Sequence, residues 1–154
     1  MVLLIIAPST QELEPPAIPG RFRGEFVEQL KPEFQKLTPE GIIFLYDAND
    51  IDEAAKRLDI FLDVIEALLG ENLIQSRQVT ALLLIANKAD QIQNFDYGTM
   101  LTLVESKLGN QISKINRLFV NAQVFHEVGS LRNSNLRSNI DEGIRQLALR
   151  MRAK

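Results

Sequence analysis

A chain of 154 residues, 45% hydrophobic and 24% charged, has the make-up of one globular domain with a sizeable core. The absence of cysteine excludes disulfides, thiol catalysis and cysteine-based zinc sites, and a single histidine excludes a histidine-rich metal cluster. A net charge of −3 makes no case for nucleic acid as a partner.

That charge is unevenly placed. From Gly129 onward six basic residues (Arg132, Arg137, Arg145, Arg150, Arg152, Lys154) face only Asp141 and Glu142, a net of +4 that leaves −7 for residues 1–128. No segment reaches the roughly 18–20 apolar residues that a bilayer span needs. Met1–Ala7 is too short for a secretory signal and lacks its basic start. The expectation is a cytoplasmic domain that reaches a membrane only through a partner.

In chain order, Val2–Ala7 reads as a buried strand stopped by Pro8. Residues 11–20 contain three prolines and read as a loop. Phe22, Phe26, Val27, Leu30, Phe34 and Leu37 then recur at helical spacing, with Pro32 placed to kink or divide that helix. Gly41–Asp47 is a continuous apolar run of the kind found in central parallel strands. Asp50 caps the next helix, with Glu53 as its capping-box partner, and an apolar stripe from Ala54 to Leu69 ends at Gly70.

Val79–Ala86 is a third strand, and one helix is predicted from Tyr97 to Leu118. Val124–Val128 is a last strand. Residues 129–138 read as a polar loop, and Asn139 as the cap of a closing helix with acids in its first turn and bases in its last. Strands alternating with helices predict a three-layer α/β domain, a mainly parallel sheet with helices on both faces.

The apolar run Leu82–Ala86 stops abruptly at Asn87-Lys88-Ala89-Asp90. An Asn-Lys-x-Asp tetrad just past a buried strand's carboxyl end lies where open α/β sheets bind ligands. An aspartate there can accept two hydrogen bonds from the edge of guanine. The asparagine can bond the base and brace a neighbouring loop, and the lysine stem can cover the base face.

With that tetrad, the chain resembles the small GTPase superfamily, a P-loop NTPase fold. The run Gly41–Asp50 with its following helix is similar to the Arf branch, and more so to the beta subunit of the signal recognition particle receptor. The helix carrying Val104-Glu105-Ser106-Lys107-Leu108 and the closing helix add to that likeness, which covers residues 17–150 or so. The resemblance implies a guanine site at Asn87, Lys88 and Asp90, with Ser130 in the last guanine-contacting loop. It also implies a role in protein transport.

The departures are as telling. No Gly-x-x-x-x-Gly-Lys-Ser/Thr string occurs in the sequence, so nothing supplies the backbone cradle, lysine and hydroxyl that hold phosphates and Mg²⁺. Ala17-Ile18-Pro19-Gly20 stands where the family has Asp-x-Pro-Gly, and alanine cannot support a metal. Arg21 follows Gly20, where a water-positioning glutamine or histidine would stand.

The sequence thus predicts one truncated GTPase-like domain: residues 1–20 an atypical strand and Pro-rich loop, residues 21–154 the βα core. It predicts no catalytic, phosphate-binding or metal-binding residues, and at most weak GTP or GDP binding. Its activity is expected to be that of a pseudo-GTPase binding subunit. The alternative is a guanine-nucleotide-binding GTPase whose phosphate-binding part lies on another chain or is missing from this gene model.

A sheet lacking its phosphate-loop elements needs a cover, from a partner subunit, a second copy, or Met1–Ala7. Asp47, Asp50, Asp52 and Glu53 crowd together but read as capping residues, and His126 reads as structural.

Overall fold

The structure, a computed structural model, describes residues 3–6, 32 and 38–153. Strands β1 (Leu3–Ile6), β2 (Gly41–Asp47), β3 (Ala81–Asn87) and β4 (Gln123–Val128) form one all-parallel sheet in that spatial order. The helices are α1 (Ile51–Gly70), α2 (Tyr97–Lys107), α3 (Gly109–Leu118) and α4 (Ser134–Arg152).

The continuous apolar runs of β2 and β3 have a direct cause, since both faces are buried. Ile42, Phe44, Leu82 and Leu84 point into a core shared with α1, α2 and α3. Ile43, Ala81, Leu83 and Ile85 point the other way, against Ile140, Leu147 and Met151 of α4. The result is the expected three-layer α/β arrangement, helices on both faces of a parallel sheet. On the α1 side, the Phe44 and Phe61 rings pack with centroids 6.0 Å apart. Lys114 of α3 clamps that layer through Asp63 and, at 3.7 Å, Asp59 of α1.

The N-terminal stretch occupies the edge of β2, where Leu3–Ile6 pairs in parallel register with Gly41–Phe44. Of the three covers the sequence left open, the Leu3–Ile6 part of the N-terminal segment pairs along that edge. Gly41 lets the Met151 side chain of α4 lie close over the start of β2. A Cβ would lie 2.5 Å from the Met151 sulfur and 3.2 Å from Leu3 Cδ1. The proline-rich loop, the helix expected from Phe22 and the segment Ala17–Gly20 lie outside the described residues.

Helix α1 ends at Gly70 as expected, with Asn72 as the left-handed residue that closes it; two other boundaries differ from expectation. Asn72 takes the left-handed φ of 60°, its N–H bonds Leu69 O at 3.1 Å, and Leu73 N–H bonds Leu68 O at 2.9 Å. That pair of bonds is a Schellman closure.

The predicted helix Tyr97–Leu118 is two helices that meet at Leu108. Leu108 is fully buried at the corner, and Gly109 after it is a poor helix former.

The closing helix begins at Ser134, capped by Asn133, whose side chain accepts from Asn135 and Leu136 N–H at 3.0 and 3.2 Å. Its first turn is polar, so no apolar stripe announced it, and Asp141 and Glu142 fall beyond that turn. Asn139 is not a cap. Its amide donates to Val128 O at 3.2 Å and ties α4 to the end of β4.

Candidate functional site

The carboxyl ends of β2, β3 and β4 lie side by side, so the loops after them converge at one end of the sheet. Backbone bonds weld these loops together. Ala48 N–H bonds Asn87 O at 2.8 Å, Gly129 N–H bonds Ala86 O at 2.9 Å, and Ala89 N–H bonds Gly129 O at 3.0 Å. Gly129 is forced by contact, since a Cβ would strike the Leu136 carbonyl and come within 3.0 Å of Ile140.

Each predicted guanine-site residue has a definite place in this junction. Asn87 Oδ1 accepts the Leu131 N–H at 2.9 Å, so Asn87 braces the loop after β4. Ser130 is buried in that loop at 2% exposure, and its Oγ accepts the Arg132 N–H at 3.3 Å. Lys88 adopts a left-handed φ of 65°, and its Nζ lies 3.6 Å from Asp47 Oδ2. Asp90 is exposed in the short turn Ala89–Gln91 and makes no hydrogen bond or ion pair among the described residues. The fold therefore brings Asn87 and Ser130 together, turns the Lys88 head toward β2, and leaves Asp90 facing solvent.

Asn49 completes the junction, and sequence reasoning missed it. Its side-chain amide donates to Asp47 Oδ1 at 2.9 Å, and to Lys88 O and Gln91 Oε1 at 3.4 Å each. Its only sequence signal was an Asn-Asp pair after a strand, which reads as a turn. Burial alone would raise the Asp47 carboxyl, but two bonds from Asn49 and the Lys88 charge outweigh it and hold the group below its usual range.

The other clustered acids go elsewhere. Asp50 Oδ1 caps α1 by accepting Glu53 N–H at 3.3 Å, Asp52 pairs with Lys107 at 3.0 Å, and Glu53 sits 3.5 Å from Arg57. No three His, Asp or Glu side chains among the described residues could hold a metal ion.

Two cavities flank the sheet ends. One of about 480 Å³ opens beside the junction, between Asn49–Asp52, Gln91–Gln93 and the α2 residues Met100 and Lys107. The other, of about 530 Å³, lies at the opposite end of the strands by Glu40, Arg77 and Thr80. There Arg150 acts as a strut, donating to Thr80 O at 3.2 Å and Asn121 O at 2.9 Å.

His126, on β4, has a buried Nδ1 without a hydrogen-bond partner among the described residues. Burial lowers its pKa, and nearby Glu105 partly offsets this. Tyr97, at the start of α2, donates to Glu127 at 2.9 Å, and burial followed by that carboxylate pushes the phenol up to about 12.

No family model matches the chain, and no curated protein matches it. Among solved structures the chain is similar to the crystal structure of a probable GTP-binding protein engB, with a TM-score of 0.52 and 11% identity over 100% of both chains. At that identity the likeness is one of fold alone: a parallel α/β domain shared with that protein.

Proposed function

We propose that this chain is a catalytically inactive GTPase-like subunit, a pseudo-GTPase that works as a protein-binding scaffold. The observation that carries this reading is the missing phosphate loop, since no Gly-x-x-x-x-Gly-Lys-Ser/Thr string occurs in the sequence. Phosphate and metal contacts are charge-assisted, worth about 1.5–3 kcal/mol each, and losing several removes most nucleotide affinity. GTP or GDP would then bind weakly at best, with no cofactor required.

Asn87 and Lys88 support the same reading, because their polar heads already serve the junction itself. The likeness of sequence to the signal recognition particle receptor beta subunit, in the Arf branch, suggests the setting. That setting is a cytoplasmic module in protein transport, held at a membrane by a protein partner. Among the described residues no helix is long and apolar enough to cross a membrane.

The second reading is a GTPase completed by a phosphate-binding part on another chain, and the intact set Asn87, Lys88 and Asp90 favours it. Phosphate release from GTP by the chain together with the partners it retains on purification from its native source separates the two. The pseudo-GTPase reading predicts no rate that depends on Asp90. A Mg²⁺-dependent turnover that disappears in Asp90→Ala would overturn it.

A further inference from the structure

The amino ends of the strands frame a cavity of their own. Its volume of about 530 Å³ falls in the range of small-molecule sites, about 300–1,000 Å³. The seven residues of β3, about 23 Å, separate it from the Asn87–Asp90 junction.

Hydrogen bonds hold its walls together. Thr80, just before β3, bonds Glu40 O through its N–H at 2.8 Å. Its carbonyl accepts Gln123 N–H at 3.0 Å and Arg150 Nε at 3.2 Å. Asn121 links the remaining wall, its carbonyl accepting Arg150 Nη2 at 2.9 Å and its amide donating to Arg77 O at 3.5 Å.

Two guanidinium groups, those of Arg77 and Arg150, line this cavity. Arg150 uses two of its five N–H donors on backbone carbonyls, which fix the plane of the fork without neutralising its charge. The Arg77 fork meets the Gln75 side-chain oxygen at 3.5 Å, again a neutral partner. Neither arginine has a carboxylate within ion-pair distance among the described residues. Glu40 lines the cavity too and is engaged by another group. The balance is two cations against one carboxylate, with Thr38, Gln78 and Asn121 as neutral polar lining.

That lining selects an anion with a polar body. A guanidinium fork matches phosphate oxygens in pairs and keeps its charge at any working pH. A bare phosphate ion would leave most of the volume empty, and the hydroxyl and amide side chains suit further hydroxyl groups.

We propose that this cavity binds a small organic phosphate monoester. Arg77 and Arg150 hold the phosphate, and Thr38, Gln78 and Asn121 meet the hydroxylated body. The site is independent of the guanine corner at the other end of the sheet, so either assignment can fail without the other.

The test is calorimetric titration of the full chain at low salt with ribose 5-phosphate, beside ribose and inorganic phosphate. Ribose 5-phosphate is expected to saturate one site with a dissociation constant of about 0.1–1 mM. Ribose gives no saturable heat, and inorganic phosphate binds about ten-fold more weakly. Arg77→Gln weakens the ester about ten-fold or more while the unfolding midpoint holds, since that side chain is exposed. Arg150→Lys keeps the charge but loses the fork, and weakens it about five-fold. Arg137→Gln removes a charge about 20 Å along α4 from Arg150 and leaves binding unchanged.

No binding of ribose 5-phosphate below about 10 mM, equal affinity for ribose, or indifference to Arg77→Gln would overturn the proposal. So would inorganic phosphate binding as tightly as the ester, which would make this a bare anion site. Co-sedimentation with phosphatidylcholine vesicles doped with phosphatidate, lost in Arg77→Gln and not competed by ribose 5-phosphate, would overturn it in favour of a membrane contact.

Discussion

Replacing Asn87 and Asp90 one at a time distinguishes a structural tetrad from a ligand-reading one. Asn87→Ala removes the side-chain oxygen that accepts the Leu131 N–H at 2.9 Å. The backbone bond from Ala48 N–H to Asn87 O, 2.8 Å, is untouched because it does not involve the side chain. A neutral hydrogen bond contributes about 0.5–1.5 kcal/mol net, and stranding a buried partner costs more. Leu131 is 39% exposed, so its freed N–H can reach water and the loss belongs near the middle of that range, about 1 kcal/mol. Asp90 is exposed and makes no bond among the described residues, so Asp90→Ala belongs within about 0.5 kcal/mol of wild type. With a urea slope of about 2 kcal/mol per molar, Asn87→Ala lowers the unfolding midpoint by about 0.5 M and Asp90→Ala leaves it in place. Equal midpoints for Asn87→Ala and wild type, or a larger loss from Asp90→Ala, would refute the reasoning.

Other substitutions probe the frame around the junction. Tyr46 is 7% exposed and its hydroxyl makes no hydrogen bond among the described residues, so Tyr46→Phe should raise stability by about 1 kcal/mol in the same urea assay. Gly129→Ala drives a methyl into the Leu136 carbonyl and the Ile140 side chain, and should cost about 1–3 kcal/mol. For His126, burial lowers the folded-state pKa. The neutral form is thus favoured by folding, and its stabilisation is complete above the ordinary value of 6.5 and is lost as pH falls from there toward the folded value. His126→Gln should lose less stability than wild type between about pH 8 and pH 5, with a limiting difference in slope of about 1.4 kcal/mol per pH unit. Identical pH profiles would contradict this. Glu127, whose pKa is raised by burial, has the opposite sign but is common to both proteins.

Strands β2 and β3 were legible because parallel strands buried on two faces cannot hide. Strand β1, expected as a buried strand, leaves Leu3 and Ile5 exposed. Gly41–Asp47 reads as one apolar run and is one strand, residue for residue. Helix α1 was equally plain from its stripe and its Asp50 cap. What escaped was set by tertiary contact. The first turn of α4 contains mostly polar residues and is started by the Asn133 side chain, which the apolar pattern does not register. The corner at Leu108 interrupts a stripe whose spacing continues through it.

At the candidate site, Asn87, Lys88 and Asp90 were legible as a string, and their convergence with Ser130 followed from the resemblance. Their connections were not legible. The partner of Asn87 is a backbone N–H, which carries no residue signature, and the bridging role of Asn49 needs two loops already in contact. Lys88 at a φ of 65° is a conformation its side chain does not advertise.

The central claim of the proposal is that the corner Asn87–Asp90 serves as structure and not as a working nucleotide site. Titration of a fluorescent guanine nucleotide into the purified full chain, with and without Mg²⁺ and with Asp90→Ala as control, tests it most directly. The account predicts no saturable binding below about 100 μM, no effect of Mg²⁺, and no difference between the variant and wild type. Mg²⁺-dependent binding tighter than about 1 μM that Asp90→Ala abolishes would contradict it.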